Sequence, residues 1–137
     1  MSSPLTDAQR AHLGLRLVLG LNIFMHGAVR FGHLSKFVDG VVQGFTATAL
    51  PTGFVLGFAY AIPFLEVAIG ALVLAGFRFR EATLAGFALI AALNFGTCLR
   101  EQWDIAGLQL IYALAYFALT LHASHLRYAV DGRVARQ

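Results

Sequence analysis

Charged residues are scarce in this chain. Asp, Glu, Lys and Arg make up only 12% of its 137 residues, against roughly 25% in ordinary soluble proteins. Hydrophobic residues make up 58%, and the mean hydropathy is +0.72. A soluble domain of this length cannot bury so much apolar surface, so the composition indicates an integral membrane protein with a single domain. The net charge of +3 is small, and basic residues at the ends of apolar segments do not suggest nucleic-acid binding.

Cysteine is nearly absent, and histidines are poorly placed to bind a cofactor. The single cysteine, Cys98, excludes an internal disulfide and a cysteine-pair relay within this chain. Haem ligation needs histidines that face each other from two helices, whereas His26 and His33 lie on one predicted helix. A second helix adds only Glu66 to these two histidines, so no metal site is expected. No flavin or iron–sulfur signature is present.

Four apolar segments are long enough to cross about 30 Å of hydrocarbon. They cover residues 11–33, 54–77, 82–99 and 105–123. The first lacks a clear small-residue cleavage site, and we expect it to be a retained helix rather than a signal peptide. Residues 36–50 differ, because polar residues interrupt apolar ones that recur at helical spacing. This pattern predicts a short amphipathic helix at the membrane surface or covering the bundle. The predicted fold is all-α, a four-helix transmembrane bundle.

The distribution of basic residues predicts how the bundle is oriented. Four spans place both termini on one side, and most of the basic residues fall there: Arg10, Arg16, Arg78, Arg80, Arg127, Arg133 and Arg136. The opposite side has only Lys36 and Arg100, with Arg30 inside the first span. Basic loops remain in the cytoplasm, so both termini are expected there. In this cytoplasmic half, Arg16 is expected to extend to the interface and His12 to be solvated.

The end of the first span carries a polar stripe. Asn22, His26 and Arg30 are spaced at i, i+4 and i+8 and share one helical face. An ionisable group in a span costs at least a few kcal/mol unless it is paired or reaches water. Glu66 in the second span is expected about 17 Å below the outer surface, at the depth of Asn22. Glu66 and the stripe are therefore expected to meet.

The other two spans also carry their polar residues in the outer half. Asn94 and Thr97 lie there in the third span, and Gln109 and Tyr112 in the fourth. We therefore predict one shared polar pocket that opens toward the outer side. Its candidate catalytic residues are His26 and Glu66, and its candidate ligand-binding residues are Asn22, Arg30, Asn94, Gln109 and Tyr112.

Three short motifs resemble a known family. They are His26-Gly27-Ala28-Val29-Arg30-Phe31, then Glu66 and Gly70 before the turn Gly76-Phe77-Arg78, and the tail Arg127-Tyr128-Ala129-Val130-Asp131. These resemble the DoxX family of small four-helix bacterial membrane proteins, which is similar to the DoxD subunit of thiosulfate:quinone oxidoreductase. The resemblance implies a bacterial inner-membrane protein with a quinone-linked role.

Two functions stay open at this point. In the first, the protein is a redox-linked subunit that binds a quinone or a similar lipophilic ligand in the pocket. His26 would donate to a carbonyl and exchange a proton, and a partner subunit would supply the electrons. In the second, the protein is a non-catalytic anchor, an assembly factor or a carrier of small solutes, and the polar cluster only fixes helix packing. The sequence does not show that the protein catalyses a reaction. A homo-oligomer is possible, and the protein is expected to contact membrane lipid.

Overall fold

The computed structural model describes residues 4–131, and the regular secondary structure within that range consists of helices. The helices are α1 (Asp7–Arg30), α2 (Leu34–Gly44), α3 (Thr52–Ala75), α4 (Phe79–Leu99) and α5 (Trp103–Leu121). By length and composition, four helices can cross a membrane: α1 with its continuation α2, and then α3, α4 and α5. This confirms the all-α four-helix bundle with a short helix between the first two spans.

Helix α1 begins earlier than the apolar pattern indicates. Thr6 accepts a hydrogen bond from the backbone of Gln9, and the Gln9 side chain bonds back to the Thr6 backbone. This capping box satisfies two N–H groups that a helix start leaves unpaired. The helix therefore starts at Asp7 rather than at residue 11.

Helix α2 is amphipathic and packs against α3 with Val38 buried. It ends at Gly44, although helical spacing of apolar residues continues to Phe45. The hydroxyls of Thr46 and Thr48 donate to the carbonyls of Gln43 and Phe45, at 2.9 and 2.8 Å. Such local side-chain bonds favour turns over helix, so residues 45–50 form turns.

The four long helices alternate in direction and form two closely packed pairs, α1 with α3 and α4 with α5. In the first pair, Gly27 lies against Pro63, and Gly70 against Phe24, so closely that a side chain at either glycine would collide with backbone. Small residues at these crossings let helix backbones approach in a membrane. In the second pair, Gly86 makes room for the buried ring of Tyr116.

The alternation gives the bundle two distinct ends, each with an arginine of α1, Arg30 partly buried and Arg16 buried. The Arg30 end contains the end of α1, all of α2, the start of α3, the end of α4 and the start of α5. The Arg16 end contains the opposite helix termini and the segment after α5. Between them lies an apolar core that includes Ile23, Ile69, Leu89 and Leu119.

Candidate functional site

An ion pair between α1 and α3 lies at the Arg30 end. Arg30 Nη1 donates to Glu66 Oε2, and the side chains are 25% and 4% exposed, respectively. The Arg30 guanidinium also lies over the Phe37 ring of α2, 4.5 Å from its centroid. The buried carboxylate is thus neutralised by a cation that is itself held by an aromatic ring. The predicted meeting of Glu66 with the stripe occurs at Arg30.

A cavity of about 530 Å³ lies beside this ion pair. Most of its wall is apolar, and side chains from α1, α2, α3, α4 and α5 contribute to it. The polar residues of the wall are His26, Arg30, Glu66, Thr97, Arg100, Gln109 and Tyr112. Small-molecule sites are typically cavities of roughly 300–1,000 Å³ with an apolar wall and a few polar groups. The cavity has the size and the composition of such a site.

His26 faces the cavity with no competing protein contact to its ring nitrogens. Within residues 4–131 its side chain makes no hydrogen bond, and its ring meets Tyr112 edge-on with 6.3 Å between centroids. A neutral imidazole offers one donor and one acceptor. Both are available to a ligand in the cavity.

The amides of α4 and α5 form a small network that reaches the cavity at Gln109. Gln109 Oε1 accepts hydrogen bonds from Asn94 Nδ2 at 3.2 Å and from Thr97 Oγ1 at 2.9 Å. Asn94 Nδ2 also donates to the carbonyl of Ala106 at 2.9 Å. These bonds occupy the Gln109 oxygen and leave its NH₂ group to donate into the cavity.

The seven candidate residues therefore take different places. Five line the cavity: His26, Arg30, Glu66, Gln109 and Tyr112. Asn94 lies behind Gln109 and positions it. Asn22 is exposed and accepts a hydrogen bond from the Tyr112 hydroxyl at 3.2 Å, outside the cavity wall. Across the described range, no cluster of three His, Cys, Asp or Glu residues is placed to hold a metal ion.

Arg100 is a cavity residue that the polar stripe did not reveal. It follows the last residue of α4, and its guanidinium lies 5.3 Å from the centroid of the Phe45 ring. The sequence placed Arg100 in the loop after the third span. Its contact with the cavity depends on the turn after α2, which brings Phe45 over the end of α4.

The Arg16 end differs from the two expectations for Arg16 and His12. Arg16 is only 2% exposed, and its Nη2 donates to the carbonyl of Tyr128 at 2.9 Å. His12 is 5% exposed, and its Nε2 donates to the carbonyl of Leu119 at 3.2 Å. The predictions that Arg16 extends to the interface and that His12 is solvated were wrong. The segment after α5 binds Arg16, and His12 packs edge-on against the Phe79 ring of α4.

This segment closes the Arg16 end through backbone contacts. The N–H groups of Val130 and Asp131 donate to the carbonyls of Ala75 and Gly76, at 3.0 and 3.1 Å. The Asp131 carboxylate accepts from the N–H groups of Arg78 and Phe79, at 2.9 and 2.8 Å. It thereby caps the start of α4. Arg133 and Arg136, which supported the predicted orientation, lie outside the described residues.

Comparison with protein-family models, curated proteins and solved structures gave no match for this chain. The resemblance to the DoxX family therefore stays a prediction from three short motifs.

Proposed function

We propose that this protein is a bacterial inner-membrane protein, with both termini in the cytoplasm, that binds a quinone or a similar lipophilic ligand. One observation carries the proposal: five of the seven candidate residues line a single apolar cavity of ligand size. A pocket of this kind between the helices of a bundle is the usual form of a small-molecule site. The apolar wall suits a ligand that arrives from the membrane.

The polar wall groups can bind the carbonyl oxygens of a quinone. His26 donates from one side of the cavity, and the NH₂ group of Gln109 donates from the other. A histidine can also exchange a proton near neutral pH. Glu66 lines the same cavity and keeps further acceptor capacity beside its bond to Arg30. In this proposal a redox partner subunit supplies the electrons.

The ion pair supports a second candidate, a non-catalytic anchor, assembly factor or small-solute carrier. Arg30 and Glu66 satisfy each other, and this contact joins α1 to α3 whether or not a ligand is present. Buried pairs of this kind can specify one helix packing. The cavity would then be a packing defect or a solute path, and His26 would have no chemical role.

Analysis of the co-purified lipids separates these two candidates. The protein is purified in mild detergent and extracted, and bound lipophilic molecules are identified by mass spectrometry. His26→Ala and Glu66→Gln are treated alike, with His122→Ala as a matched control because His122 is exposed at the Arg16 end. We expect a quinone or another lipophilic molecule in the wild type and the control and its loss from both cavity variants, with folding checked by circular dichroism. Absence of any ligand from the wild type, with both variants less stable to heat, would favour the structural role.

A further inference from the structure

We propose that the ligand of this cavity is a single-chain amphiphile with an anionic head. Arg100 binds the head at the mouth, and the chain extends into the apolar interior. The inference rests on the proposed function in one respect, that the cavity holds a lipophilic ligand, and it names the chemical class of that ligand.

Arg100 is a cation without an acidic partner at the cavity mouth. Within residues 4–131 it forms no ion pair, whereas Arg30 in the same wall is paired with Glu66. Its side chain is held between two groups, the Phe45 ring and the backbone at Gly44, where a Cβ atom would lie 2.5 Å from Nη2. The guanidinium is therefore held in place, and its donors have no carboxylate to bind.

A second depression in the surface adjoins the cavity at Arg100 and also has basic residues in its wall. It measures about 600 Å³ and shares Phe37, Val41 and Arg100 with the first cavity. Its remaining wall includes Lys36 and His33. The acidic residues of this end, Asp39, Glu101 and Asp104, line neither space.

The charges that line the two spaces are unbalanced. Arg30, Lys36 and Arg100 are opposed only by Glu66, which Arg30 already binds. A partly buried guanidinium binds a carboxylate or phosphate through two parallel charge-assisted hydrogen bonds. An anionic head is thus the group that the mouth lacks.

The interior accepts a chain of limited length. The cavity extends from Arg100 to Ile90, ten residues deeper along α4, which corresponds to about 15 Å of helix. Three consecutive single bonds of an extended chain cover about 3.5 Å, as the three backbone bonds of one extended residue do. A depth of about 15 Å therefore suits an extended hydrocarbon chain of roughly a dozen bonds. The wall along this depth includes Phe58, Ile62 and Leu93, which favours a simple hydrocarbon tail.

Three probes of similar reach test the ligand class. Laurate has the anionic head, dodecanol has the same chain with a neutral head, and decylubiquinone has a neutral ring with two carbonyl groups. Binding is measured for the full chain in phosphatidylcholine nanodiscs, with empty nanodiscs as the background. We expect laurate to bind at least tenfold more tightly than either neutral probe.

Substitutions then locate the anion site. Arg100→Gln should remove most of the laurate preference and leave dodecanol binding unchanged, while Arg100→Lys should retain part of it. Arg78→Gln is the matched control, since Arg78 is an exposed arginine at the Arg16 end. Lys36 is exposed, and Lys36→Gln should weaken laurate binding by a few fold.

The outcomes separate this inference from the proposed function. Saturable binding of a neutral probe that equals or exceeds laurate would overturn the anionic head and leave the lipophilic-ligand site intact. A laurate preference that survives in Arg100→Gln would overturn the assignment of Arg100. Phosphatidylglycerol has an anionic head and two chains. If an equal concentration of it displaces laurate, the claim that the ligand has a single chain is wrong. If no probe binds saturably, the cavity is not a ligand site, and both proposals fail.

Discussion

Helix α1 carries a buried arginine, Arg16, and a partly buried one, Arg30, and the bundle accommodates them in different ways. Arg30 has a carboxylate partner, Glu66, together with an aromatic ring, and it borders a cavity. Arg16 has no carboxylate partner within the described residues, and its hydrogen bond goes to the backbone carbonyl of Tyr128. One end thus neutralises its cation with a side chain, and the other surrounds it with backbone.

The position of Arg16 gives a physical reason for this difference. Gly76 ends α3 in a left-handed conformation, with φ of 62°, and a Cβ atom there would lie 2.6 Å from Arg16 Nη1. The carboxyl end of a helix carries a partial negative charge and stabilises a cation. Arg16 therefore lies where helix dipoles replace a counter-ion, although its Nε and Nη1 have no hydrogen-bond partner among residues 4–131. The Arg16 end is closed by backbone contacts, whereas the Arg30 end contains the cavity.

The largest effect is expected from breaking the ion pair at the Arg30 end. Glu66→Ala leaves Arg30 beside an apolar wall without its carboxylate, and removal of one partner of a buried pair costs roughly 3–5 kcal/mol. The double variant Arg30→Met with Glu66→Met should recover most of that loss, because it removes both charges. Thermal unfolding in one detergent measures both. If the double variant is as unstable as Glu66→Ala, the loss in the single variant does not come from an uncompensated charge on Arg30.

A smaller effect is expected from Arg16→Met at the other end. The variant removes the hydrogen bond to the Tyr128 carbonyl, and hydrogen bonds to charged groups contribute about 1.5–3 kcal/mol. Because Arg16 holds the segment after α5, the variant should also expose the bond after Arg127 to trypsin. Limited proteolysis followed by mass spectrometry detects that cleavage. Unchanged cleavage at Arg127 would mean that the other contacts of the segment suffice.

Asp131→Ala tests the same end through its helix cap. The carboxylate accepts from two N–H groups at the start of α4, and loss of such a cap costs about 1 kcal/mol. Asp131→Asn keeps only one of the two accepting oxygens, because its NH₂ group would face the other N–H, and it should retain part of the stability. The unfolding temperatures of Asp131→Ala and Asp131→Asn are compared with that of the wild type. Equal decreases in the two variants would show that the charge of Asp131, rather than its hydrogen bonds, stabilises the start of α4.

The smallest effect is expected from Tyr112→Phe. This variant removes the exposed hydrogen bond to Asn22 and keeps the ring that lines the cavity. Net hydrogen-bond contributions are about 0.5–1.5 kcal/mol, and the exposure of this bond favours the low end. Laurate and quinone binding should be unchanged. A large loss of binding would give the hydroxyl a role in the site that its geometry does not indicate.

Features that depend on helical period and depth could be predicted from the sequence. The period of 3.6 residues placed His26 and Arg30 on one face, and the count of residues from the span ends placed Glu66 near them. The predicted four-helix fold followed from the same patterns and is confirmed.

Features that depend on long-range contacts to the backbone could not be predicted in this way. The bond from Arg16 goes to a carbonyl 112 residues away, and every residue has a carbonyl, so no side-chain pattern marks the partner. Asp131 caps a helix that begins 52 residues before it. Arg100 reaches the cavity because α2 ends at Gly44, a boundary set by local threonine bonds rather than by apolar spacing. The one available signal was Arg16 itself, a charge inside an apolar run.

Hydrogen–deuterium exchange with and without ligand tests most directly whether the two ends differ in this way. Laurate and, in parallel, decylubiquinone are added to the protein in nanodiscs, and exchange is followed in two segments outside the long helices. These are residues 34–50 at the Arg30 end and residues 123–131 at the Arg16 end. The account predicts slower exchange in the first segment with at least one probe and no change in the second. Protection of the second segment alone, or of neither with any probe, would contradict a ligand site at the Arg30 end.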